Sequence, residues 1–191
     1  MNKLVKISLK ILGALIVLAL LFYFVVGPIM KSSTKKHSPE VVETYENDTA
    51  NIEVFYCSPA KKGRTIFGEL VPYGEVWRTG ANEASTFTTN KDLTIEGKTL
   101  PAGKYSLWTI PNEDSWQIIF NNKMYSWGVR FQDGKAMREA EHDALVATAT
   151  VSQSITVQEN FAINLLETPT GDLVMMLAWD NVTVPLPISI N

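Results

Sequence analysis

Residues 61–85 read KKGRTIFGELVPYGEVWRTGANEAS, and Arg64, Glu69, Arg78, Asn82 and Glu83 bring two guanidinium groups, two carboxylates and an amide into this one stretch. A guanidinium is a planar fork of donors suited to a carboxylate, a phosphate or vicinal hydroxyls. An amide and a carboxylate add mixed donor and acceptor capacity. Arg78, Asn82 and Glu83 together could therefore read a polar ligand. The competing reading pairs Arg78 with Glu83 or Glu69 and fastens the segment to the fold. Arg64 and Glu69, five residues apart around Phe67 and Gly68, favour that structural reading. Trp77 and Trp127 lie in less regular stretches and are the tryptophans suited to presenting a ring face to a ligand such as a sugar. Trp108, Trp116 and Trp179 lie in strand-like runs and are expected in the core.

Other chemistries have weaker support. Glu69, Glu75 and Glu83 supply carboxylates that glycoside hydrolysis would use as a pair, but sequence proximity sets no such geometry. The chain has no G-x-S-x-G nucleophile elbow, no H-E-x-x-H and no phosphate-binding loop. His142 is the one histidine within the domain and His37 precedes it, so a histidine-rich zinc site is excluded, and neither a metal nor a cofactor is expected. Cys57 is the sole cysteine, so no internal disulfide forms and the side chain is expected to be a small buried one.

Gly63, Gly68, Gly74 and Gly80 punctuate the charged stretch, and its apolar residues hold neither a period of 2 nor of 3.6. The prediction is a long ordered loop. Loops of that length in compact domains are mostly functional or disordered, and the aromatic content opposes disorder.

The run GRTIFGELVPYGEVWRTGANEAS, with LPAGKYSLWTIP at 100–111 and NFAINLLE and MLAWDNVTVPLPI further on, resembles the domain-of-unknown-function family 2911 of exported bacterial proteins. The resemblance covers about residues 50–190, and WRTGANE is its hallmark. It implies export, and no ligand or reaction, because the family has no established activity. At 57–59 the chain reads CSP where the family pattern has a serine and often an arginine before the proline, so one basic group of that pattern is missing.

The elements that must carry the loop follow from periodicity and composition. Residues 11–26 form an apolar run, extended to Met30 and flanked by Lys3, Lys6 and Lys10 on one side and Lys31, Lys35 and Lys36 on the other. A membrane span needs about 20 apolar residues. The bulky Phe22, Tyr23, Phe24 and Val26 and the lack of a small-residue cleavage pattern favour an uncleaved anchor at 11–30 over a signal peptide. Residues 1–10 then form a cytoplasmic tail, 31–49 a polar stalk, and 50–191 an extracytoplasmic domain. The lysines divide equally about the run, so the orientation rests on the short N-terminal tail and on the resemblance to exported proteins.

Three of the 17 basic residues precede the run and all 20 acidic residues follow it, leaving the remainder at about −6. That balance shows none of the basic stripe expected for nucleic-acid binding. The expected role is a membrane-anchored binding module whose partners are the membrane and an envelope glycan or protein, with an envelope enzyme acting on a polar, carbohydrate-like substrate and a structural accessory of a membrane complex as the alternatives. Alternation at 51–57, 86–89, 93–95, 104–110, 116–120, 127–131, 145–151, 161–166, 173–179 and 182–190, with turns at Glu96 and Gly97, 101–103, 111–114 and 168–172, predicts eight to ten short strands. The fold class is all-β, a β-sandwich or barrel with a jelly-roll-like arrangement as one option. Residues 135–143 are expected to make a surface excursion with one or two helical turns. Pro185 and Pro187 place the last strand at an edge or give it a partner on one side only.

Overall fold

A computed structural model describes residues 2–169 and 171–191. The chain divides after His37 into two compact units.

The first unit is helical throughout: α1 (Lys3–Leu21), a single π-helical turn (Phe22–Val26) and α2 (Gly27–His37). The π turn closes with the Gly27 N–H donating to the Phe22 carbonyl. Pro28 explains it, since proline has no N–H to continue the α-helical ladder and the register slips at that point. The helix over Val5–His37 is long and apolar enough to cross a membrane, with a mean hydropathy of 2.7 in its most apolar window and none of that window buried. A signal sequence has the same features.

The second unit is a sandwich of two antiparallel sheets. Ten strands are present among the described residues: β1 (Glu40–Glu46), β2 (Asn51–Cys57), β3 (Ser85–Thr89), β4 (Leu93–Ile95), β5 (Lys98–Leu100), β6 (Gly103–Ile110), β7 (Ser115–Asn121), β8 (Asp143–Thr150), β9 (Ser152–Glu167) and β10 (Leu173–Ile190). One sheet runs β1-β2-β3-β6-β7-β8 and the other β5-β4-β10-β9. Alternate residues face inward. Ile52, Val54 and Tyr56 of β2, Leu107 of β6, Ile118 and Phe120 of β7, and Val184, Leu186 and Ile188 of β10 form the core between the sheets.

On β6 and β7 the outward residues are buried as well. Leu107 and Trp108 are neighbours in one strand, as are Ile118 and Ile119, so one of each pair must point away from the core. Trp108 and Ile119 do so, and a second cluster with Ala84, Val76, Tyr125 and Ala136 covers them.

Two expectations differ from the structure. Residues 31–49 are not a stalk, because α2 runs to His37 and β1 pairs with β2 from Glu40↔Cys57 to Glu46↔Asn51. EVVETYE looks polar, yet Val41 and Tyr45 fall on one face and pack on the core. Residues 127–131 form no strand; Gly128 has φ +84, which breaks the extended run, and only Val129 bridges to Ala136. The expected excursion is present, with the 3-10 turn Ala140–His142 as its helical part. β10 lies inside its sheet, yet its prolines obey the rule that placed them. It pairs β9 as far as Thr183 and β4 only at Ser189 and Ile190. Pro185 and Pro187 fall between, where no ladder needs their missing N–H.

The free edge of β8 is capped by side chains. Glu96 Oε2 accepts the Thr148 N–H at 2.8 Å, and Lys98 Nζ donates to the Val146 carbonyl at 2.8 Å. Charged groups on an edge strand oppose pairing with another chain. Replacing both Glu96 and Lys98 by alanine is expected to cost under about 1 kcal/mol while hastening aggregation on heating, measured by light scattering. Unchanged scattering would assign the caps no protective role.

Candidate functional site

The loop between β2 and β3 is ordered from its base upward. Gly63, Gly68, Gly74 and Gly80 all have positive φ, as their placement in a non-periodic stretch predicts. The tightest is Gly80, where an added Cβ would stand 2.8 Å from the Cys57 carbonyl oxygen and 3.2 Å from Ser85 Oγ.

Backbone bonds tie the base of the loop to β6, with Trp77 N–H donating to the Thr109 carbonyl at 2.7 Å and Thr109 N–H returning to Trp77 at 3.0 Å. These bonds carry the Trp77 ring onto the core. It stacks on Trp179 at 5.9 Å, meets Phe161 edge-on at 4.9 Å and Trp116 at 6.1 Å, and donates Nε1 to the Gly80 carbonyl at 3.0 Å. The packing makes Trp77 a structural anchor rather than an open ligand face. Trp108, Trp116 and Trp179 are buried, as expected.

Arg78, Asn82 and Glu83 meet at the same base. Asn82, at φ +59, is buried and donates Nδ2 to the Ser38 carbonyl at 3.3 Å, holding the point where the chain enters the domain. Cys57 is fully buried and donates its thiol hydrogen to Glu83 Oε2 at 3.5 Å. Arg78 lies close enough to Cys57 and Glu83 to interact with both electrostatically. Burial pulls its guanidinium below the ordinary arginine value, and those two neighbours oppose the shift. Its Nη1 is buried without a hydrogen-bond partner. Ser58 is buried and donates Oγ to the Phe161 carbonyl at 2.6 Å.

The other predicted residues lie elsewhere. Arg64 is exposed, and two backbone carbonyls at the start of the loop fix its guanidinium, Lys61 O at 2.9 Å from Nε and Ala60 O at 2.5 Å from Nη2. Glu69 and Glu75 are exposed and no described contact joins them to Glu83, which faces Cys57. Trp127 is half-buried and stacks on Phe131, with ring centroids 6.3 Å apart. The structure thus brings Arg78, Asn82 and Glu83 to one place and separates Arg64, Glu69 and Trp127 from it.

Two further groupings lie outside the predicted set. Glu139, Glu141 and His142 each place one potential ligand atom within 4.8 Å of the others. Glu139 there forms an ion pair with Lys123 and lies 3.6 Å from His142 Nε2, and its carboxyl is held below the usual range first by the Lys123 hydrogen bond. A cleft of about 360 Å³ lies among Tyr45, Asn47, Glu167, Asp172 and Asn191, and none of the predicted residues lines it. Sequence reasoning missed the exposed Leu70 and Tyr73 of the outer loop. Pro72 and Gly74 on either side of Tyr73 were the signal that it stands at a turn.

No curated protein matches the chain, and no solved structure does. A family model matches residues 38–188, which is the sandwich and the whole of its loop. The chain therefore belongs to the family described as "Protein of unknown function (DUF2911)".

Proposed function

We propose that the chain is a membrane-anchored binding module whose domain lies outside the cytoplasm and whose 61–85 loop binds an envelope glycan. The observation that carries this reading is an ordered loop, pinned at its base and by the buried Ile66 and Val71, that still presents an exposed rim of polar and aromatic side chains. Trp77, Thr79 and Asn82 are held by the sandwich, while Arg64, Glu69, Leu70, Tyr73 and Glu75 remain exposed. A rim ordered in advance loses little conformational entropy on binding. Arg64 offers fixed donors, Glu69 and Glu75 offer acceptors for sugar hydroxyls, and Tyr73 offers a ring.

The apolar helix supports the anchor, and Lys31, Lys35 and Lys36 after it suit the headgroup side of a span. Glycoside hydrolysis by Glu69, Glu75 and Glu83 has no support in this geometry, since Glu83 is engaged with Cys57. A structural role is favoured for the base of the loop alone.

The test is a panel of peptidoglycan fragments and envelope polysaccharides offered to the full chain in detergent micelles, with Tyr73→Ala alongside. Binding is expected to weaken about tenfold in the variant, equivalent to about 1.4 kcal/mol, with its melting temperature little changed. A panel with no binder, or a variant that binds equally well, would contradict the reading.

A further inference from the structure

Phe131, at 85% exposure, and the fully exposed Ile155 are the two most exposed large apolar side chains among the described residues of the domain. Two independent chains of contact connect them to the place where the polypeptide enters it. In the first, Asn82 Nδ2 holds the Ser38 carbonyl, and Arg78 and Ala84 on either side of that bend pack against Gly128. A methyl group on Gly128 would stand 3.1 Å from Arg78 Cδ. Trp127 is the next residue, and its ring stacks on Phe131.

The second chain starts at Pro39, whose carbonyl accepts the Ser58 N–H at 2.8 Å, while Ser58 Oγ reaches the Phe161 carbonyl. Two residues before Phe161, the Glu159 carbonyl accepts the Lys61 N–H at 2.7 Å. β9 then departs from its partner. Gln158 sits opposite Asp180 and Gln153 opposite Val182, so residues 154–157 face only Asn181 and must arch out. The Ser154 hydroxyl accepts the Thr156 N–H at 3.1 Å and shapes the arch, which leaves Ile155 exposed. Residues 144–158 contain no charged side chain.

We propose that this end of the domain rests on the bilayer, with Phe131, Trp127 and Ile155 entering the headgroup–acyl boundary of the membrane that holds the chain's own helix. The proposal relies on the anchor reading above. Only nine residues, 31–39, lie between the anchor and β1, so an inserted helix tethers the domain to the bilayer by a reach of about 30 Å at full extension. Such tethering raises the effective concentration of lipid at that end, and weak apolar contacts suffice. A tryptophan stacked with a phenylalanine suits the interfacial layer. An exposed isoleucine on an uncharged arch can insert without carrying a charge into the apolar layer.

The test uses the full chain in phosphatidylethanolamine–phosphatidylglycerol vesicles. Phe131→Cys, Ile155→Cys and Asp172→Cys are each labelled with an environment-sensitive fluorophore, and the buried Cys57 of the parent chain sets the background. Asp172 lines the cleft with Asn47, which lies in the turn at the other end of the β1–β2 pair. Lipids bearing a quencher near the headgroup are expected to lower the signal at 131 and 155 at least threefold and to leave 172 unchanged. Equal response at all three positions, in vesicles that still carry the chain on flotation, would overturn the docking and leave the anchor standing. Failure to float would overturn both. A signal at 131 that ignores lipid quencher but falls when unlabelled chain is added would assign the patch to a second copy and likewise overturn the proposal.

Discussion

Trp77→Ala is expected to lower the unfolding free energy of the domain by about 3–5 kcal/mol, the range for removing a large aromatic side chain from a packed site. The ring contacts Trp179, Phe161, Trp116 and Phe67, which come from three strands and from the loop itself. Its Nε1 also closes the turn at Gly80. The variant therefore loses aromatic contacts, leaves a void and frees the Gly80 carbonyl. Urea unfolding followed by circular dichroism checks this, with Trp127→Ala as the comparison, because the half-buried Trp127 stacks on the exposed Phe131 and lies outside the core clusters. Equal losses in the two variants would show that Trp77 does not anchor the loop.

Gly80→Ala is the second large effect, expected at about 3 kcal/mol from backbone strain and overpacking together. Its φ of +148 is outside the range that residues with a Cβ adopt readily, and the new methyl group would press on the Cys57 carbonyl oxygen at 2.8 Å. That oxygen belongs to backbone bonded by the Ala81 N–H, so it cannot move without disturbing the end of β2. Gly74→Ala is the control. Gly74 also has positive φ, at +75, but an added Cβ would meet nothing within 4 Å, so its cost is expected near 1 kcal/mol. Thermal melts of the two variants should separate clearly. Coincident melts would mean that the loop base tolerates movement.

Much of the fold was legible because alternation is a direct consequence of the pleat. Ile52, Val54 and Tyr56 declared the core face of β2, and the turn at Glu96 and Gly97 declared the β4–β5 hairpin. β1 was not legible, because EVVETYE gains its partly buried face only when β2 lies beside it. Nor was the extent of α2. Ser32, Ser33 and Thr34 show no apolar face, but each propagation step of an existing helix costs little.

The candidate site divides in the same way. Residue types drew attention to Arg78, Asn82 and Glu83, and the structure does place them together. What they face was hidden, because Cys57 lies 26 positions from Glu83 and Ser38 lies 44 from Asn82. Trp77 went to the core for a comparable reason. Its partner Thr109 is on β6, and no local pattern marks a bridge across 32 positions.

The central claim is that the sandwich fixes the base of the 61–85 loop so that its rim can hold a ligand. Amide hydrogen exchange of the full chain, with and without a bound peptidoglycan fragment, addresses it most directly. Residues 77–82 should exchange slowly in both states, and ligand should add protection within 64–75. Fast exchange at 77–82 without ligand, or ligand protection that falls wholly outside 64–75, would contradict the account.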